Sequence, residues 1–536
     1  MSANPAIGSY DDSKEVLSPE LLSAVPARKQ TYGQILKSSA IVGGSTVLNV
    51  GIGIVRTKIM ALLLGPGGFG LAGLYASIIN LTQSIAGMGL NSSGVRQIAE
   101  AASRGNRDGV ARTAIALQQT SLVLGLLGAA LLLMFPREIS ILTFGNAQHR
   151  GAVRLISSAV LCQLISAGQG ALIQGMRRIA DLAKMNVIGA FSGLIISVPI
   201  VYVMRERGIA ISLVVVAATT IVTSWWYSRK IQINSVRLTL GEIRSETAGL
   251  LKLGIVFMVS GLLVPGVGYF VRVILLHRAG IVATGMYQSA WTIGGLYVGF
   301  ILQAMGADFY PRLSAAANNN EECNRLVNEQ ALVGLLIAGP GVVATLTFAP
   351  LVISLLYSTK FGAAVGVLRW ICLGSTLQLL TWPMGFIIVA KARRRLFLLS
   401  ELLWAIAAMV LAWGCVNWWG LNGAGLAFFL SYIAHWLVVY PITRRLSGFR
   451  WSLQNRRTGV IVLSSIGAVF SGFYVLPLRV ASSVGALAAL LSGLYSIRVL
   501  AKLIPKNEIP LPMRQLLVGL HLIPSGTIPA NQPSGV

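Results

Sequence analysis

The chain has 536 residues, of which 55% are hydrophobic and 11% charged, with a formal net charge of +26. Soluble domains carry about 25% charged residues. This composition therefore leaves too little polar surface to cover water-soluble cores, and apolar runs of about eighteen or more residues recur along most of the length. The positive charge does not point to nucleic acid: Lys and Arg sit in short connectors between apolar runs, where they orient a membrane protein.

In chain order, the first residues are polar, with Asp11, Asp12, Lys14 and Glu15 far from any apolar run. They lack the pattern of a secretory signal and read as a cytoplasmic tail over 1–34. Apolar runs then predict spans at 36–64, 71–98, 112–135, 152–175, 182–204 and 208–228, a six-helix bundle over 35–230. A basic cytoplasmic linker follows at 231–250. Further spans at 252–277, 284–309, 327–357, 364–390, 396–416 and 422–443 predict a second six-helix bundle over 251–446. Two more, at 459–477 and 482–503, form an additional pair within 447–504, and 505–536 reads as a Pro-rich cytoplasmic tail. The fold class is an all-α integral membrane protein of about fourteen transmembrane helices. Most of the 43 Lys and Arg fall on one side when the connectors are numbered alternately, which places both termini in the cytoplasm and makes the helix number even.

The halves resemble each other. Gly51-x-Gly53, Gly170, Gly208 and Arg229–Lys230 recur 215 positions later as Gly266-x-Gly268, Gly385, Gly423 and Arg444–Arg445. Gly73-Leu-Tyr75 pairs with Gly285-Met-Tyr287 at 212, and Met88–Gly89 with Met305–Gly306 at 217. Six spans, an even number, separate the copies, so they share one orientation. Two parallel bundles would face each other across a central cleft. Cys162, Cys372 and Cys415 lie in spans and Cys323 in a connector, with no CxxC and no Cys/His cluster. No disulfide framework, metal or cofactor is expected.

Two stretches carry a family resemblance. STVLNVGIGIVRTKIMALLLGPGGFGLAGLYASIINL (45–81) resembles the start of Wzx-type O-antigen and enterobacterial-common-antigen flippases, and AMGADFYPRLS (304–314) resembles a second-half motif of the same group. The resemblance covers about 35–445. GPGGFG at 65–70 lacks the trailing Gly-Lys-Ser/Thr of a P-loop and reads as a tight periplasmic turn. The resemblance implies the V-shaped exporter fold of the multidrug/oligosaccharidyl-lipid/polysaccharide exporter superfamily, in the bacterial inner membrane. It also implies alternating-access transfer of an undecaprenyl-pyrophosphate-linked oligosaccharide to the periplasmic leaflet, for surface polysaccharide synthesis. The implied partners are that lipid-linked oligosaccharide, membrane lipids, a polysaccharide polymerase and a chain-length regulator.

Moving a pyrophosphate and a glycan through hydrocarbon calls for a polar cavity holding cations, and ionisable groups inside spans are functional candidates. On the first helix Ser45, Asn49 and Arg56 fall within about 40° of one another at ~100° per residue, a single polar stripe. Arg56 lies ~12 Å from the helix end at 1.5 Å per residue. Lys58 points about 200° away from Arg56 and is shallow enough to snorkel to the headgroups. Arg272 follows Gly268 much as Arg56 follows Gly53, which makes it the second-half partner, with snorkelling as the competing reading. Asp308 and Arg312, four apart beside Pro311, form an i,i+4 ion pair or a cytoplasmic gate. Asn91 stands at the place equivalent to Asp308 in the first half. Glu401, with no basic residue three or four positions away, either binds a coupling proton or pairs across helices. His435 is a lone intramembrane histidine that reads as packed or hydrogen-bonded, and His149 and His521 lie outside the spans. Arg393, Arg394 and Arg395 read as anchors on the anionic leaflet. Trp225, Trp226, Trp382, Trp418 and Trp419 read as an interfacial aromatic belt.

Two other functions compete. A multidrug exporter of the same superfamily would place carboxylates against organic cations, yet the deep charge on the first helix is cationic. A membrane enzyme would need a nucleophile, carboxylate pair or metal cluster in a sizeable outer loop, and these connectors are short and hold none, so no catalytic residue is expected.

Overall fold

The computed structural model describes residues 19–503 apart from 234, 235 and 237; side chains are described from 44 onward, apart from 256, 260, 297, 298, 300, 301 and 303–308. The ends assigned to tails at 1–18 and 505–536, including His521, lie outside the described residues. Those residues form helices and no strands. They begin with α1 (Pro19–Ala86), α2 (Leu90–Ser103), α3 (Arg107–Met134), α4 (Pro136–Phe144), α5 (Arg150–Gly175), α6 (Ile179–Met204) and α7 (Gly208–Ser228). They continue with α8 (Leu240–Ala315), α9 (Asn320–Thr347), α10 (Ala349–Leu356), α11 (Ala364–Ala390), α12 (Arg394–Ser447), α13 (Leu453–Val475) and α14 (Leu478–Leu503). Ten stretches among them are long and apolar enough to cross a membrane.

Four of these stretches are longer than one crossing needs: Gly44–Ala86, Ile179–Ser228, Gly261–Leu296 and Arg394–Ser447. An unbroken α1 of 68 residues would run ~100 Å, more than three times the ~30 Å hydrocarbon core. Each stretch is interrupted: at Gly65 (φ 64°), at a 3-10 turn over Arg205–Arg207, at Gly280 (φ 85°) and at Gly420 (φ 55°). The GPGGFG segment is thus no multi-residue turn. One left-handed glycine breaks the helix, and Pro66, whose fixed φ suits a first helical position, restarts it.

The backbone carries the repeat more precisely than the residue matches do. Positive φ recurs 215 residues apart at Gly65 and Gly280, at Arg177 and Ala392 (both 55°), and at Arg205 and Gly420 (52° and 55°). This register sets Gly70 against Gly285 and Gly73 against Gln288, so the pairing of Gly73-Leu-Tyr75 with Gly285-Met-Tyr287 at 212 does not hold. Short α4 and α10 are also repeat partners. α4 falls in a stretch read as connector, whereas α9 and α10 divide the single span expected at 327–357. Span 71–98 is divided too, because left-handed Gly89 separates α1 from α2.

Packing follows the two halves. Leu74, Ile79, Ile156 and Val160 anchor one core in the first half, and Leu346, Phe361, Leu368 and Ile371 anchor one in the second. α8 begins inside the stretch expected to be linker, and its first turns lie on the first half: Arg112 meets Glu242 at 3.5 Å and Thr120 meets Thr247 at 3.0 Å. α13 and α14 pack on α9. Gly339 accepts Val462, and Gly485 lies against Thr347 where a Cβ would clash.

Candidate functional site: the cleft between the halves

A cleft of about 410 Å³ opens between α1 and the second half, lined by Thr46, Asn49, Gly53 and Thr57 on one side and Thr292 and Tyr357 on the other. Its polar groups are neutral, and the Asn49 Oδ1 is buried with no hydrogen-bond partner among the described residues. One end is closed by helix-to-helix contact. A Cβ at Gly70 would stand 2.5 Å from the Ile281 carbonyl oxygen, and one at Gly285 would overlap the Pro66 carbonyl. These contacts are repeat mates of each other, so the pseudo-two-fold axis passes between them. Phe69 wedges beside them, edge-on to Tyr357 and Phe361 with centroids 5.4 and 5.9 Å away. The glycines of 65–70 thus break the helix and let two helices touch.

The three candidate cations Arg56, Lys58 and Arg272 go to three different places. Arg56 turns to α6, where its Nε donates to Ser197 Oγ at 3.1 Å. Among the described residues that is its one hydrogen bond, leaving four of the five guanidinium N–H donors uncommitted. Lys58 does not snorkel; its Nζ crosses to the second half and donates to the carbonyls of Ser354 (3.3 Å) and Leu355 at the C-terminal end of α10. A cation at a helix C-terminus meets both orphan carbonyls and the negative dipole end. Arg272 is only 7% exposed. Its Nε donates to Gln288 Oε1 and its Nη1 to the Gly268 carbonyl, both at 2.7 Å, which braces the two arms of α8. Ser45 is half-buried and has a partner within the fold.

Arg312 is exposed at the end of α8, while the Asp308 side chain lies outside the described residues. Glu401 pairs across the break in α12: its Oε1 stands 3.6 Å from His435 Nε2, an ion-pair distance beyond a hydrogen bond. Trp225 and Trp226 are about half exposed, with the Arg229 guanidinium 4.5 and 4.0 Å over their rings. Trp418 and Trp419 are also exposed. Trp382, grouped with them in the sequence, instead packs against Phe386 at 4.5 Å inside the second half.

Sequence reasoning missed two contacts. Tyr269 on α8 shares a 2.7 Å hydrogen bond with Thr143 on α4, so each half's first helix reaches the other half's short helix. Arg369, inside the apolar run of α11, donates to the Leu346 carbonyl at 3.3 Å, and its guanidinium lies 3.6 Å over the Phe473 ring of α13. An arginine in a span was a sufficient signal for the second; a tyrosine–threonine pair leaves none.

Two repeat-related helical halves enclosing a cleft define a polytopic membrane carrier. Residues 59–366 match the family model described as polysaccharide biosynthesis protein, more than half of the chain. The chain belongs to that family, in keeping with the resemblance carried by 45–81 and 304–314. The lipid III flippases of Escherichia coli K12 and Shigella flexneri are each 24% identical to it over 408 residues, 75% of this chain and 96% of theirs. Among solved structures it shares its fold with an inward-facing multidrug-resistance MATE transporter (TM-score 0.63, 17% identity, 74% of this chain and 95% of that one). It shares it equally with the lipid II flippase MurJ in an inward closed conformation (TM-score 0.63, 14% identity, 86% and 99%).

Proposed function

We propose that the protein flips polyprenyl-pyrophosphate-linked oligosaccharide from the cytoplasmic to the periplasmic leaflet of the bacterial inner membrane, by alternating access of its two halves. The supporting observation is the cleft shared by the halves and closed at one end, with Arg56 on its flanking helix holding four uncommitted donors. A guanidinium suits a pyrophosphate, because its planar fork binds phosphate oxygens in pairs. Arg56 takes the pyrophosphate after leaving Ser197, Asn49 and Ser45 line its path, and Lys58 and Arg272 bind it in states where their present contacts part. Asp308 and Arg312 gate the cytoplasmic end, and Glu401 with His435 holds a coupling proton. Each of the four double-length stretches crosses the membrane twice, which turns ten into fourteen, and the basic connectors put both termini in the cytoplasm. The substrate leaves covalently unchanged, delivered to a polymerase and its chain-length regulator.

Arg56→Ala as the sole copy should abolish surface polysaccharide while the protein still reaches the membrane, measured by polymer staining beside an immunoblot. Normal polymer with normal protein would remove Arg56 from the mechanism. The competing export of organic cations lacks a carboxylate among the described residues lining the cleft. Efflux of a cationic dye from cells producing the chain would favour it.

A further inference from the structure

A second chamber, of about 370 Å³, lies wholly inside the first half. Gln83 from α1, Asn91 from α2 and Gln163 and Gln174 from α5 converge on it, with Ser166 and Thr220 beside them. No ionisable side chain lines it. The two hydroxyls are spent on carbonyls, Ser166 on Thr220 and Thr220 on Ala217. The four amides make no side-chain hydrogen bond to any other described residue. Each offers two donors and an acceptor. Polar side chains inside spans ordinarily bond across helices, and on this same α5 Gln169 does so, accepting from Ser224 Oγ. The chamber amides are therefore not fold-holding groups of the Gln169 kind.

The repeat shows that the fold does not require this chamber. At the 215-residue register Gly189, Ala217, Gln174 and Thr220 correspond to Trp404, Tyr432, Val389 and His435. In the second half Trp404 and Tyr432, the mates of Gly189 and of the chamber-lining Ala217, are buried with centroids 5.8 Å apart. One half places aromatic rings at these positions; the other has small residues there and a chamber lined with neutral amides. The open volume falls in the range of ligand sites. It also abuts a cavity of about 250 Å³ through shared Gln83, Asn91 and Ala167, which continues past Ser84 and Ser121 to Phe257 on α8, at the seam between the halves.

We infer that this chamber binds the neutral glycan of the transported lipid, an inference that rests on the flippase reading. Uncommitted amides without charge match a polyhydroxylated neutral ligand, since each amide donates to and accepts from hydroxyls. Arg56 stands at the chamber's edge. A Cβ at Gly193 would lie 3.4 Å from Val216, which lines the chamber, and 3.7 Å from the Arg56 Nη1. A pyrophosphate on Arg56 would put the first sugar, to which it is joined, at the Val216 end of the chamber.

The test compares two probes on the full chain in nanodiscs: undecaprenyl pyrophosphate bare, and the same lipid carrying a neutral trisaccharide of N-acetylhexosamines. The expected wild-type result is tighter binding of the glycosylated lipid. Asn91→Leu with Gln174→Leu, both at exposed positions, should weaken glycosylated binding about thirtyfold, at about 1 kcal/mol for one hydrogen bond lost at each, and leave the bare lipid unaffected. Gln163→Leu should act in the same direction. Equal wild-type binding of both probes, an undiminished preference in the variants, or an equal loss on both probes overturns the glycan site while leaving the flippase reading intact. Binding of neither probe by the wild-type chain overturns the flippase reading and this inference with it.

Discussion

At Ala392 the chain adopts the left-handed conformation (φ 55°) that its repeat mate Arg177 also adopts, just after helices that end at equivalent positions. A Cβ there strains against the following carbonyl by about 1–2 kcal/mol, which glycine avoids at some entropic cost in the unfolded chain. Ala392→Gly removes one methyl group and should raise stability by about 1 kcal/mol. The check is the thermal midpoint in detergent, and an unchanged or lower midpoint would mean that the backbone bears no strain there. Arg56 shows how far residue-level reading reaches. The helical wheel sets Arg56 and Asn49 on one stripe, yet only Asn49 lines the cleft. What the wheel omits is the reach of the arginine, whose guanidinium swings to Ser197 on α6 while the short Asn49 stays in the cleft. Lys58 errs the same way: its depth allowed snorkelling, but α10 lies within reach and offers carbonyls that no sequence pattern announces.

Elements were legible where composition alone decides them. α11 was expected at 364–390 and α7 at 208–228, and both stand at those bounds, because a long apolar run flanked by charges has one stable solution in hydrocarbon. Breaks were harder. Gly280 lies in a connector already expected, whereas Gly89 and Phe348 divide stretches that were each expected as a single span. Helix starts outside the apolar runs depend on caps, and α8 begins at one. Thr239 accepts from the Glu242 backbone N–H, and the Glu242 carboxylate accepts from the Thr239 backbone N–H at 2.9 Å and from its hydroxyl. These bonds, the backbone one foremost, and then Arg112 hold Glu242 below the usual carboxylate range. A depressed folded pKa contributes stability at pH values above the unfolded one, near ~4.3, and that contribution is lost as pH falls through the folded value. Glu242→Ala should therefore lower the thermal midpoint at pH 7, with the difference from wild type closing as pH drops below ~4. A difference that persisted in acid would assign the effect to something other than the carboxylate.

The whole molecule is a near-symmetric pair used asymmetrically. Backbone breaks recur at one register, yet one half keeps an amide-lined chamber and the other buries Trp404 and Tyr432. Lys58 meets α10 with a charge, and Tyr269 meets α4 with a hydroxyl. The halves touch most closely around the axis, where Gly70 packs on Gly285 and Gly73 faces Gln288. If transport works by alternating access, this contact must open once in every cycle. A Cβ at Gly73 would stand 3.0 Å from the Gln288 Cγ, one bond from the Gln288 Cβ, so cysteines at both positions would lie close to the ~3.5–4.5 Å Cβ separation that a disulfide spans. With Cys162, Cys323, Cys372 and Cys415 replaced by serine, the Gly73→Cys, Gln288→Cys pair should cross-link under mild oxidation. Cross-linked protein should then halt surface polysaccharide export, and a membrane-permeant reductant should restore it, while for either single cysteine export is the same with and without oxidant. Fully cross-linked protein that still exports would mean that the axis contact stays shut throughout the cycle. The halves would then have to pivot about it, with Lys58 and Tyr269 parting from their short helices while Gly70 and Gly285 remain in place.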